Sequence, residues 1–369
     1  MNDKIMTAQE AVERFIKPGT HIAFGGFTIL RRPMTIAREI VRRRIGDLFV
    51  TMNGGTLAEE MLAGAGLIKW LESTYLGLEG GMPVAYAIRK CIEEGVIELV
   101  EDYSNWSFAQ RTLAGRLGLP FMACMGDMGS DLVEYDTFGK AGLRGRKDDS
   151  SPIHPGIPPA KYSIIDDPFD GYGLRPSYFK SGDDSCGNKT NYYHNNQGST
   201  RYTGKQGVKV LLVPPLMPEV SVIRAQRVSV DGTVRIEGLV GPDFDQGLCG
   251  KTLIVECERI CPDEELRSVP EHNQIAAHFV SAIVMQPFGG YPTAVPNYYD
   301  YDFSWFSKYT KAVSRKSLSE VKEFWLEHVE SNDDWDFLQN KVGFEKLSAL
   351  RSDPHYHYNP TLDRFAKEV

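Results

Sequence analysis

The first 125 residues alternate between two hydrophobic periods, and that alternation limits the folds open to the chain. Thr7-Ala8-Gln9-Glu10 is a capping box that opens a helix running to about Ile16. His21-Ile22-Ala23-Phe24 reads as a buried strand that runs into Gly25-Gly26. Residues 34–47 are helical, with Ile36, Ile40 and Val41 on one side. Residues 48–53 form a strand, 56–66 a helix of small residues, and 73–81 a strand passing into a loop. Residues 84–95 are a helix that Gly95 ends, and 97–104 are a strand. Ser107 with Gln110 caps a further helix ending at Gly118, and 119–126 are a strand again. Strand and helix taking turns predict an α/β fold: an open, largely parallel sheet flanked by helices.

From about Asp131 the pattern breaks. Residues 140–163 are rich in proline, glycine and charge, and 181–207 are polar and almost without aliphatic residues. A long inserted surface loop over about 172–206 is the expectation. Strands resume at 208–216, 220–229, 251–260 and 282–290, with a turn at Asp231-Gly232. Residues 317–331 and 333–343 read as helices, and 355–365 as an irregular tail. The expected division is an α/β domain over 1–310 and a C-terminal helical extension over 311–369.

A net charge of −8 argues against nucleic acid or an anionic membrane as the main partner, since both are bound through basic faces. No apolar run approaches the length of a membrane span, and the N-terminus lacks a signal-peptide pattern. The six cysteines are scattered, so reduced thiols in the cytoplasm are the economical reading. No G-x-G-x-x-G follows a strand, no Walker A sequence occurs, and Gly129-Ser130-Asp131 lacks the second glycine of a nucleophile elbow. Cys257 and Cys261 have no second pair nearby, and His355-Tyr356-His357 reads better as a tail packing by its tyrosines than as a metal clasp. No metal is expected.

The residues with most chemical content lie at expected strand ends. Gly25 and Gly26 would let a ligand touch the backbone at the carboxyl edge of a parallel sheet. The helix starting near Met34 would aim its N–H groups there, and Arg31 and Arg32 add positive charge at a helix end that disfavours it. An anionic ligand would resolve that conflict; a tight turn with two solvated arginines is the alternative. Glu79 sits among glycines after a strand, placed to act as nucleophile or base, or to hold a loop. Asp102-Tyr103-Ser104 ends the next strand, and Met125–Asp131 the one after.

Gly19–Pro33 resembles the glycine-rich signature of family I coenzyme A transferases in their alpha subunit, with Ile22–Phe27 and Pro33 fitting the pattern. Arg31 stands where many members have glycine, and a basic residue here resembles the glutaconate CoA-transferase branch. So do residues 100–104, 117–122, 166–169, 225–236, 263–267 and 297–302. The resemblance covers roughly residues 5–170 and 207–345.

This resemblance implies a heteromeric enzyme whose partner, a homologous beta subunit, carries the nucleophilic glutamate. CoA would pass from an acyl-CoA to a carboxylic acid through a glutamyl-CoA thioester on that partner. The CoA thioester is a substrate, and no permanently bound cofactor is implied. The Ser-Glu-Asn-Gly sequence around the nucleophile is missing here, so no catalytic residue is expected in this chain; Glu79 is a low-ranking candidate. The expected substrate- and CoA-binding residues are Gly25, Gly26, Phe27, Thr28, Arg31, Arg32, Glu79, Tyr103, Ser104, Gly129 and Ser130. The glycine loop would offer backbone N–H groups to negative oxygen, and the two arginines would hold a carboxylate or a phosphate. The same scaffold also resembles that of two-subunit CoA-dependent ring-opening hydrolases. A non-catalytic binding protein is the third reading.

Overall fold

A computed structural model describes residues 4–55, 57–77, 83–124, 126–128, 130–134, 154–168 and 209–364. Glu79 and Gly129, and the insertion over 172–206, lie outside the described residues.

The main sheet holds the strands β1 (His21–Phe24), β2 (Leu48–Met52), β3 (Ile68–Ser73), β4 (Glu98–Asp102), β8 (Val220–Ser229), β9 (Val234–Arg235), β10 (Thr252–Cys261) and β11 (Ala282–Met285). Its order is β11-β10-β8-β1-β2-β3-β4, parallel throughout. The short β9 runs against its neighbour β8, across a turn where Gly232 has φ +107° and Asp231 Oδ1 accepts from the Thr233 N–H at 2.8 Å. β1 and β2 are buried along their whole length, as a parallel strand covered on both faces must be. The open parallel sheet with flanking helices is therefore present as expected.

Two details of the expectation shift. The strand near residue 73 lies earlier, over Ile68–Ser73, so Thr74–Gly77 is already loop. The strand at β5 (Met122–Cys124) leaves the main sheet: it pairs antiparallel with β7 (Lys209–Val213), which also pairs antiparallel with β6 (Ser163–Asp166). Alternation alone cannot separate these outcomes, because pairing partners lie nearly a hundred residues downstream.

Helices cover the sheet: α1 (Ala8–Phe15), α2 (Met34–Arg43), α3 (Leu57–Gly64), α4 (Tyr86–Glu93) and α5 (Asn105–Leu117), followed by α6 (Asp243–Leu248), α7 (Phe303–Val313) and α8 (Leu318–Val329). The Thr7–Glu10 capping box forms, and another forms at Ser317–Glu320. The cap of α5 is Ser104, three residues before the expected Ser107; its hydroxyl accepts from the Ser107 N–H at 3.0 Å. Gly95 and Gly118 end α4 and α5 with positive φ.

The C-terminal helices share the principal core. Phe306, Tyr309 and Val313 of α7 and Val321, Trp325 and Val329 of α8 join one apolar cluster with Ile36, Ile40, Leu62 and Ile88. The small residues of α3 serve this contact: a Cβ on Gly64 would collide with the Trp325 indole. Trp305, Tyr309, Phe324, Trp325 and His328 form a connected set of ring contacts there. The irregular tail is secured differently from expectation. Tyr356 and Tyr358 are exposed; Asp353 accepts from the His355 and Tyr356 N–H groups, and Arg364 pairs with Asp300.

Candidate functional site

Strand order runs outward from β1 in one direction through β2, β3 and β4, and in the other through β8, β10 and β11. The order reverses between β1 and β8, and in open α/β sheets the crevice beyond the strand ends at that point is where ligands bind. Gly25 and Gly26 are the first residues past β1 on that edge.

Local chemistry folds them into a clamp. The Gly25 N–H donates to Val222 O at 2.7 Å, extending the ladder to β8 by one residue. The Gly26 N–H donates to Asp243 Oδ1 at 2.5 Å. A Cβ on Gly25 would lie 2.6 Å from that carboxylate and 2.8 Å from Ile223, and Gly26 has φ +83°, so neither position accepts a side chain easily. Phe27 and Leu30 exchange backbone hydrogen bonds at 3.1 and 2.9 Å across a two-residue turn with Thr28 at φ +49°. The turn leans on the loop after β2. Thr28 N–H donates to Gly54 O at 2.5 Å, and the Phe27 ring occupies the space a Cβ on Gly54 would need.

Arg31 and Arg32 correct the picture of two cations awaiting a ligand. They are 1% and 0% exposed. Arg31 makes a forked contact with Asp243 Oδ2, 3.1 Å from Nε and 2.8 Å from Nη2, and also donates to Val240 O. Arg32 pairs with Glu59 on α3 and donates to Gly26 O at 3.3 Å. The amino end of α2 is likewise met from inside, by Glu256 Oε1 accepting from the Ile36 N–H at 2.6 Å. The conflict of cations beside a helix start is thus relieved by three internal carboxylates. Burial raises the pKa of Asp243 and Glu59, opposed by the neighbouring arginines, and lifts Glu256 to about 7 against the pull of Arg224.

The backbone donors are mostly spent as well. From Gly25 to Arg32, every N–H except that of Ile29 reaches an acceptor among the described residues. Ile29 N–H, at the tip of the turn, is what remains to meet an outside group. A strap beyond β11 braces it from behind: Ala294 N–H donates to Ile29 O, and Arg31 N–H to Ala294 O, both at 2.8 Å.

Of the remaining expected residues, Tyr103, Ser104 and Ser130 are described, and each makes an internal contact. Tyr103 is buried, with Arg111 packed on its ring at 4.3 Å and its hydroxyl donating to Lys161 O at 3.3 Å. Ser104 caps α5. Ser130 donates to Asp127 O at 2.7 Å. Asp127 accepts from Tyr162 OH at 2.6 Å and from the Ser107 hydroxyl, which docks this loop on the start of α5. The loop after β5 therefore lies beside Ser104, although β5 belongs to the other sheet.

Sequence reasoning missed Asp243, Glu59, Gly54 and Gly55. The run of a buried strand into Asn53-Gly54-Gly55 repeats the pattern seen at Phe24-Gly25-Gly26 and was a usable signal. Asp243 had none, being more than 200 residues from the turn it holds.

A parallel sheet flanked by helices, with a glycine turn clamped at its switch point, defines an α/β protein of the open-sheet class. Similarity to known proteins narrows this. A family model described as "Coenzyme A transferase" matches residues 5–286, and the chain belongs to that family. It is 32% identical over 364 residues to the A subunit of glutaconate CoA-transferase from Acidaminococcus fermentans, covering 98% of this chain and 99% of the relative. The crystal structure of that glutaconate coenzyme A-transferase superposes with a TM-score of 0.78 over 96% of this chain and 98% of the other. It is also 25% identical to the A subunit of 3-oxoadipate CoA-transferase from Pseudomonas knackmussii, over 92% of this chain and 98% of that one. The decarboxylase AibA/AibB, at 19% identity and a TM-score of 0.62, covering 88% of this chain and 98% of that one, shares the fold. The chain is thus an alpha subunit of the glutaconate CoA-transferase type, and this homology supports CoA-transferase activity. Among the described residues, no helix is long and apolar enough to cross a membrane.

Proposed function

We propose that the chain is the alpha subunit of a cytoplasmic two-subunit CoA-transferase that moves CoA from an acyl-CoA to a carboxylic acid. The nucleophilic glutamate sits on a homologous beta subunit, which carries CoA as a thioester between the half-reactions. This chain supplies one wall of the acyl pocket. The observation that carries the reading is identity along almost the whole length to the corresponding subunit of a glutaconate CoA-transferase, with the glycine turn at the sheet's switch point.

In this reading the turn Phe27–Leu30 approaches the reacting thioester. Ile29 N–H faces the developing negative oxygen, where a fixed donor lowers the barrier without having to reorganise. Arg31 and Arg32 act one step back: paired with Asp243 and Glu59, they fasten the turn.

The test is co-expression with a neighbouring beta-like subunit, then incubation with an acyl-CoA panel and acetate. Appearance of acetyl-CoA only when both chains are present supports the reading. Free acid, or a ring-opened CoA product gaining water, with no acetyl-CoA, rejects it in favour of a hydrolase.

A further inference from the structure

A cavity of about 320 Å³ opens beside the carboxyl ends of β10 and β11, and its lining includes no residue of the glycine turn. Its wall includes Glu258, Arg259, Phe288, Tyr298, Arg351 and Ser352. We propose that it binds a small organic carboxylate with a flat apolar body, the acid group on Arg351 and Ser352 and the body against Phe288.

The charges in the wall favour an anion. Among the described residues Glu258 is the only carboxylate lining it, and both its oxygens are taken. Oε1 accepts from Arg224 Nε at 3.0 Å and from Tyr299 OH at 2.7 Å, and Oε2 accepts from the Phe288 N–H at 2.8 Å. Arg259 is shared between Glu265 and the Tyr298 hydroxyl. Arg351 is different: its backbone is tied to Tyr299 and Ser348, but its guanidinium has no acceptor among the described residues. The Ser352 hydroxyl has none there either, while its N–H donates to Tyr298 O at 3.0 Å. A guanidinium and a hydroxyl on adjacent residues of a fixed bridge suit the two oxygens of a carboxylate.

Pro287, Phe288 and Pro354 supply the apolar part of the lining, and the backbone there is held in a costly shape. Phe288 has φ +58° and Asn297 φ +72°, both unusual for residues with a side chain, and both line the cavity. Such strain persists where the surroundings fix it, and it gathers at ligand sites. Phe288 stacks on Tyr299 with ring centroids 4.8 Å apart, so one face of the pair is backed and the other is left to the cavity, with Pro287 and Pro354 beside it. The volume is near the lower limit of small-molecule pockets and suits a short acid better than a nucleotide.

The experiment is calorimetric titration of the full chain, with its partner where the two copurify, using benzoate as the probe. Binding is expected at about millimolar or tighter. Arg351→Gln should weaken it by about tenfold or more, and Ser352→Ala by a smaller factor, since a charge-assisted contact outweighs a neutral one. Both side chains are outside the core, so ligand-free melting temperatures should match wild type. No heat up to about 10 mM benzoate overturns the proposal. So does equal affinity in wild type and Arg351→Gln, or inorganic phosphate binding as tightly as benzoate. None of these outcomes depends on transferase turnover.

Discussion

Asp243 carries the greatest share of the geometry at the glycine turn, since one carboxylate holds both the Gly26 N–H and the Arg31 guanidinium. Asp243→Asn would leave Arg31 buried without its counter-ion. Breaking a buried pair from one side costs roughly 3–5 kcal/mol. Urea denaturation should show a loss of that size, and the co-expressed enzyme should lose turnover even where the chain remains folded. An unchanged midpoint would mean the pair is solvated in practice. Gly25→Ala tests the same contact sterically. Its methyl would meet Asp243 and Ile223 at 2.6 and 2.8 Å, and overpacking of this kind costs roughly 1–3 kcal/mol. Loss of activity with near-normal stability would place the damage in the turn; full activity would show that the close approach is dispensable. Arg31→Ala should behave as a folding defect first, because the side chain is internal. A raised KM with unchanged stability would instead return it to the role of substrate ligand.

At the level of elements, the sequence carried most of what local chemistry decides. The capping box at Thr7, the helix after Ser317, glycine stops at 95 and 118, and the Asp231-Gly232 turn all appear where residue types demand them. What it did not carry was long-range pairing. β5 left the main sheet for β7, and the arginines beside the glycine turn found Asp243 and Glu59, because sequence patterns describe a residue's own element and not its distant neighbour. The α8 helix illustrates both sides. Its helical span was legible, whereas its burial against α3 through Trp325 and Gly64 was not. That burial makes a prediction about pH. His328 on α8 packs among Phe324, Trp325 and Phe337, and burial lowers its pKa to about 3, helped by Arg38 and Lys341. The unfolded chain, near the ordinary histidine value of 6.5, binds the proton more readily. The stability contribution is therefore present above about 6.5 and is lost as pH falls toward 3, at up to about 1.4 kcal/mol per pH unit. Denaturation midpoints of His328→Phe should fall less steeply than wild type across that range. Equal slopes would contradict a half-buried imidazole held neutral by its packing.

For the molecule as a whole, one core joins the sheet, its helices and the C-terminal α7 and α8. The glycine turn sits at the switch point of that sheet, held by the internal carboxylates Asp243 and Glu59. The proposed function divides the labour: this chain shapes the pocket and a partner attacks the thioester. Trapping the enzyme-bound intermediate tests this most directly. The co-expressed complex, incubated with acyl-CoA and no acceptor, digested and read by mass spectrometry, should carry a CoA thioester on a glutamate of the partner and none on this chain. A CoA thioester on Glu79 would contradict the account and place the nucleophile here.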